Sequence, residues 1–122
     1  MSMKSENIYL EVGKWYEGST RPLRGPKLTG RIVGRVVVYH DYEAGRFYTT
    51  YWRLYHLDDG RYLLWWRDCT EPRGWTNIAD YSVLDELPVP GTVYEGTRTY
   101  KGKYYKSQPV PEELVAQARE GW

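Results

Sequence analysis

FYTTYWRLYHLDDGRYLLWWR, residues 47–67, holds the densest strand signal in the chain. Two runs rich in aromatic and aliphatic residues flank Asp59-Gly60, a dipeptide that favours a two-residue hairpin turn. Such a turn predicts that Leu57 faces Tyr62, Tyr55 faces Leu64, Leu54 faces Trp65, Arg53 faces Trp66 and Trp52 faces Arg67. One side of the ribbon then collects Trp52, Leu54, His56, Leu63 and Trp65. The other collects Tyr51, Arg53, Tyr55, Leu57, Tyr62, Leu64 and Trp66. The first set reads as core, because the second carries three tyrosines and would place Arg53 inside. The second then forms an exposed aromatic platform, with Arg53 opposite Trp66 in a cross-strand pair suited to a cation–π contact. A one-residue slip would exchange the two faces. An alternative has both faces covered, with the ribbon lying between a second sheet and a terminal helix.

Upstream, residues 31–40 alternate with period two. Ile32, Val36, Val38 and His40 fall on one side, and Arg31, Val33, Arg35, Val37 and Tyr39 on the other, as in a half-buried strand. Before them, Gly18, Gly25, Gly30 and Gly34 with Pro22 and Pro26 mark a loop-rich segment. Downstream, DCTEPRGW is a loop, IADYSVLDEL is a strand entering a short helix, and LPVPG breaks regular structure. Residues 92–100 and 103–106 read as two strands joined at Lys101-Gly102. The closing PEELVAQAREGW predicts a helix over about 111–120, with Pro early, two Glu in the first turn, Arg119 in the last and Gly121 just beyond. Leu114, Val115 and Ala118 give it a narrow apolar stripe for docking on a barrel mouth. The class is therefore all-β, or β-dominated: a small, strongly bent sheet or barrel of six to eight short strands with one C-terminal helix. OB-like and SH3-like barrels are analogies at the level of fold alone.

The 122 residues suit a single domain spanning 1–122, which on folding buries roughly two-thirds of its unfolded surface. The apolar runs are too short to cross a bilayer, and MSMKSENIY lacks the apolar core of a signal peptide. The reading is a soluble cytoplasmic protein with no membrane partner. Cys69 is the one cysteine, which provides neither a disulfide framework nor a thiolate metal cluster. Net charge is +1, but residues 1–40 are basic, 41–90 acidic, and 97–108 basic again. This pattern permits a bipolar surface. Thirteen Tyr and six Trp against one Phe favour half-wet recognition surfaces, or the cladding of a shallow core.

Residues 10–27, LEVGKWYEGSTRPLRGPK, resemble residues 87–103, LPVPGTVYEGTRTYKGK. With a one-residue gap on each side, both read L-x-V, G-x-x-Y-E-G, T-R-x-x-basic-G. An internal duplication would give two equivalent loops, each with an Arg at its start and a basic residue beside a glycine. Glycine lets a ligand approach the backbone, and Arg and Lys add charge and donors. The competing reading is a turn-and-strand solution reused for folding, with solvated basic tips.

Enzymatic signatures are weak. His40 and His56, with nearby Arg, Lys and Tyr, could cleave RNA as an acid–base pair, yet each reads more simply as a partly buried strand residue. No zinc spacing, phosphate-binding loop, hydrolase elbow or calcium loop is present, so no cofactor or metal is assigned. The leading expectation is non-enzymatic binding of single-stranded nucleic acid. Tyr51, Tyr55, Tyr62 and Trp66 form its stacking platform, with Arg53 as a stacking cation. Arg21, Arg24, Lys27, Arg98, Lys101 and Lys103 contact phosphate. The chief alternative is a protein–protein or self-assembly module anchored by Tyr, Trp and Arg, with a homo-oligomer among its forms. Others are a small-ligand barrel lined by Trp52, Trp65 and His56, and a small ribonuclease using His40 and His56.

Overall fold

The turn at Asp59-Gly60 forms, but it is one residue longer than the two-residue hairpin. In the computed structural model, which describes residues 5–15, 23–43, 46–71, 77–96 and 108–121, Gly60 N–H donates to Leu57 O at 3.0 Å and Leu57 N–H to Arg61 O at 2.8 Å. Gly60 has φ +91°, a left-handed conformation that glycine adopts without penalty. Asp58, Asp59 and Gly60 are thus a three-residue loop of the turn-plus-bulge kind. The Asp59 carboxylate accepts from Arg61 N–H at 3.0 Å and Arg61 Nε at 2.8 Å. These hydrogen bonds hold Asp59 below the usual carboxylate pKa.

The extra loop residue slips the pairing by one. Trp52 faces Trp66, Arg53 faces Trp65, Leu54 faces Leu64, Tyr55 faces Leu63 and His56 faces Tyr62. The expected partners Arg53–Trp66 and Leu54–Trp65 are thereby replaced, and the residues of the second run change sides.

The strands are β1 (Glu6–Trp15), β2 (Leu23–Glu43), β3 (Arg46–Leu57), β4 (Tyr62–Glu71) and β5 (Asn77–Leu84), followed by the helix α1 (Glu112–Arg119). All neighbours are antiparallel, and the curled sheet closes on itself between β1 and β5, where the described pairs are Gly13↔Ala79, Lys14↔Ile78 and Trp15↔Asn77. The β-dominated class and the C-terminal helix agree with the sequence reading. Among the described residues the strands number five rather than six to eight.

The greatest departure is β2, a single strand of 21 residues that runs through Gly25, Pro26 and Gly30 of the expected loop. Its first part pairs with β1 and its second with β3, and Gly30 is matched to Glu6 on one side and Leu57 on the other. A Cβ at Gly30 would lie 2.8 Å from Leu57 Cα, so the change of partner demands glycine. Pro26 falls at an irregularity between the pairs Tyr9↔Lys27 and Glu11↔Arg24. There its missing N–H is tolerated. Elsewhere, β5 ends at Leu84 without entering a helix, and residues 92–96 are not strand. The expected strand at 103–106 lies outside the described residues.

Both faces of the β3–β4 ribbon are covered at their centres. Ile8, Tyr55, Leu57, Leu63, Trp65 and Ala79 form one buried cluster, joined by Leu28 and Ile32, so all five strands feed it. That is the inside of the curl. The opposite cluster holds Val33, Val36, Trp52, Leu54, Leu64 and Trp66, capped by Val110, Leu114 and Val115. The alternative with both faces covered is therefore realised in part: α1 docks on the outer face of β2 and β3, and the inner face is covered by the curl of the same sheet rather than by a second sheet.

Helix α1 starts after Pro111, keeps Glu112 and Glu113 in its first turn and Arg119 in its last, and stops at Gly121 with φ +74°. Gly34 lets it approach: a Cβ there would meet Leu114 O at 2.9 Å and Leu114 Cδ1 at 3.1 Å.

Candidate nucleic-acid interface

The slip at the turn also decides which side chains share the surface of the sheet. Two neighbouring rows run across β2 to β5. The first is Arg35, Arg53, Trp65 and Tyr81; the second is Val37, Tyr51, Arg67 and Ala79. In each row an arginine lies over the aromatic ring directly opposite it. Arg53 Cζ is 4.7 Å from the Trp65 centroid, and Arg67 Cζ is 4.7 Å from that of Tyr51. Arg35 and Arg53, both exposed, face one another, an arrangement of like charges that costs stability in a sheet. Among the described side chains these rows carry three arginines and no carboxylate. Val37 and Tyr39, 42% and 73% exposed, extend the surface along β2.

The platform expected from sequence is divided. Tyr51 and Arg53 stand on this face. Tyr55 is buried inside the curl, where the five strands converge. Trp66 is buried on the opposite face, tilted against Trp52 with centroids 5.8 Å apart. Tyr62 is also on that opposite face, half-buried and stacked on His56 at 4.5 Å. The longer turn is the physical cause for Tyr62 and Trp66; a fifth strand closing the curl is the cause for Tyr55. Arg24 and Lys27 lie on the β1-paired part of β2, opposite Glu11 and Tyr9. Arg21, Arg98, Lys101 and Lys103 lie outside the described residues.

Sequence reasoning missed that Arg35, Arg67 and the buried Trp65 share one face of the sheet. For Arg67 and Trp65 the signal was the Asp-Asp-Gly triplet, which fits a type I turn ending in a left-handed glycine as well as a two-residue hairpin. For Arg35 the obstacle was an irregularity in β2 between Ile32 and Gly34, with Val33 as the extra residue. It sets Arg31 opposite His56 and Arg35 opposite Arg53, so the two arginines of the simple alternation part to opposite faces.

The opposite face of the same strands carries a polar cluster of Thr50, Asp68 and His40. Thr50 donates to Asp68 Oδ1 at 2.5 Å, and His40 Nε2 lies 3.2 Å from Thr50 Oγ1. Burial raises the Asp68 carboxyl to a pKa of about 6, against the pull of the Thr50 hydroxyl. Burial also lowers the pKa of His40. A cleft of about 430 Å³ opens beside His40, between Val38 and Trp52 on the sheet and Pro90, Pro109 and Pro111 on the covering chain. Trp65 and His56 do not line it. His40 pairs with Tyr48 in register, eight positions along β3 from His56, or roughly 26 Å of strand. The two histidines therefore cannot serve one scissile bond as an acid–base pair. Among the described residues no group of three His, Cys, Asp or Glu is placed to hold a metal ion, and no helix is long and apolar enough to cross a membrane.

Part of the second repeat copy is described, and its work there is structural. Val89 N–H donates to Tyr94 Oη at 2.8 Å, Tyr94 packs against the helix-side cluster, and the Asp80 carboxylate occupies the space a Cβ on Gly96 would need. The first copy's Tyr16, Glu17 and Gly18 lie outside the described residues. No family model, curated protein or solved structure matches this chain.

Proposed function

We propose that the protein binds single-stranded nucleic acid without catalysing a reaction, through the arginine-bearing face of β2, β3 and β4. The observation that carries this reading is the pair of guanidinium groups laid over aromatic rings in adjacent rows, with Arg35 beside them. Arg53, exposed and seated flat on its ring, turns its other plane and its edge donors outward, whereas the Nε of Arg67 is buried without a hydrogen-bond partner. The plane suits a nucleobase and the donors suit phosphate. Tyr39 and Tyr51 supply aromatic surface on the same side. The like-charge juxtaposition of Arg35 and Arg53 is relieved when a polyanion crosses them. Tyr55 and Trp66 drop out of the contact set because they are buried. Arg21, Arg24, Lys27, Arg98, Lys101 and Lys103 remain phosphate contacts within this proposal. Such a surface recognises backbone and stacked bases rather than a sequence.

Fluorescence anisotropy of a labelled single-stranded oligonucleotide, titrated at several salt concentrations, tests the reading. Saturable binding that weakens log-linearly with salt is expected, and Arg35→Ala with Arg53→Ala should lower both affinity and the salt slope. Flat titrations at low salt would sink the proposal, as would an unchanged slope in the double variant. A salt-insensitive association with a protein would favour the aromatic-anchored interface instead. The cleft beside His40 supports a second reading, a small-ligand site walled by Trp52 and prolines. A ligand-dependent rise in melting temperature, lost in a variant that fills the cleft, would favour it.

A further inference from the structure

The sequence Pro-Val-Pro occurs twice, at residues 88–90 and 109–111, and the fold brings the two copies together. A tight turn follows the first copy. Thr92 N–H donates to Val89 O at 3.1 Å, and Gly91 has φ +83°, as a type II turn with Pro-Gly at its centre requires. Backbone bonds then clasp this turn to the second copy: Gly91 N–H donates to Val110 O at 2.9 Å, and Val110 N–H to Thr92 O at 3.0 Å. Pro90, Pro109 and Pro111 thereby form one wall of the cleft of about 430 Å³, facing Val38 and Trp52 on the sheet. Trp52 is itself packed against Trp66. Proline has its φ locked by the ring, so the clasped wall keeps its shape without a ligand. The volume falls in the range of small-molecule sites, which are largely pre-formed.

We propose that this cleft takes a small aromatic cation, an amine carried on a planar ring. The inference rests on the small-ligand reading of the cleft and is independent of the nucleic-acid reading. Apart from His40, Gln108 and Glu112, the side chains lining the cleft are apolar. His40 and Gln108 have partners within the protein. Glu112, in the first turn of α1, is exposed and supplies the carboxylate of the cleft. No lysine or arginine is among the described lining residues. A carboxylate beside apolar and aromatic walls is the combination that holds an organic cation. The ring is buried against valine, proline and tryptophan, and the ammonium group donates to Glu112. An anion of the same shape would meet a like charge instead. Because Glu112 is exposed, water screens the pairing; it selects among ligands, while burial of the ring supplies most of the affinity. The cleft and the arginine-bearing surface lie on opposite faces of β2 and β3, and so they select opposite charges.

Three probes with one ring system test this: indole, which is neutral, tryptamine, which is cationic, and indole-3-acetate, which is anionic. Each is titrated into the full chain and followed by NMR. Tryptamine should bind roughly three- to tenfold more tightly than indole, and indole-3-acetate more weakly than indole by a similar factor. Glu112→Gln, a surface change, should erase the difference between tryptamine and indole and leave the affinity for indole unchanged. Val38→Phe, with the fold checked by circular dichroism, should fill the cleft and weaken all three probes. If indole binds but tryptamine binds no more tightly, or if the preference survives Glu112→Gln, the assignment of a cation is overturned and the small-ligand reading stands. If none of the three binds, or if Val38→Phe folds and binds as the wild type does, both are overturned.

Discussion

The two faces of β2, β3 and β4 are built from the same strands and handle their polar groups in opposite ways. On the helix side, Trp52, Leu54, Leu64 and Trp66 are sealed by Leu114 and Val115, and Thr50 and Asp68 are buried with them. On the other side, beyond the cluster inside the curl, Arg35 and Arg53 stand in solvent and Arg67 is half-buried, with Arg53 and Arg67 resting on aromatic rings. One face gains stability from excluded water, and the other keeps two arginines exposed at the cost of a like-charge pair. Substitutions of similar size should therefore have very different consequences on the two sides.

The largest effect is expected at the sealed face. Trp66→Ala leaves a cavity against Trp52 and should cost about 3–5 kcal/mol in urea denaturation; a cost below 1 kcal/mol would mean the helix does not seal this side. Next comes pH. A carboxyl whose folded pKa is raised stabilises the fold below its unfolded value. That stability is lost as pH rises through the folded value. With Asp68 raised from 3.8 to about 6, stability should fall between about pH 4 and 6 by on the order of 3 kcal/mol. Asp68→Asn should remove that decline. His40, its pKa lowered by burial, acts with the opposite sign, losing stability as pH falls below its ordinary 6.5. Repeating the titration in His40→Gln isolates the carboxyl. Gly34→Ala should then cost about 1–3 kcal/mol by forcing Leu114 and its helix outward. The smallest effect belongs to the open face, where Arg53→Ala should change stability by only about 0.5–1 kcal/mol while weakening oligonucleotide binding. A larger loss of stability would make Arg53 a structural residue and blur the distinction between the faces.

Much of the fold was legible in the sequence, and the contrast between the faces, which was not, depended on single residues. The β-dominated class, the position of the 58–60 turn and a helix close to 112–119 follow from alternation, Asp-Gly chemistry and end charges. The faces did not follow. Asp58-Asp59-Gly60 accommodates loops of two or three residues, and choosing between them reverses every side chain of β4. Val33 does the same for β2, where one inserted residue parts Arg31 from Arg35. The length of β2 was hidden because Gly25, Pro26 and Gly30 usually end strands. Here they sit where the chain bends and exchanges one neighbour for another, a tertiary event with no local signature.

The seam that closes the curl adds a consequence for how the molecule comes together. Leu57 and Arg61 meet across a few peptide units, whereas Gly13 must find Ala79 from the far end of the chain. Among the described residues, three pairs recover the entropic cost of that search. The β3–β4 ribbon is therefore the natural nucleus, and the β1–β5 seam is the last contact to form and the first to part. Each opening of the seam bares the edges of both β1 and β5, so the time spent open limits how long the chain can stay concentrated without tangling with its neighbours.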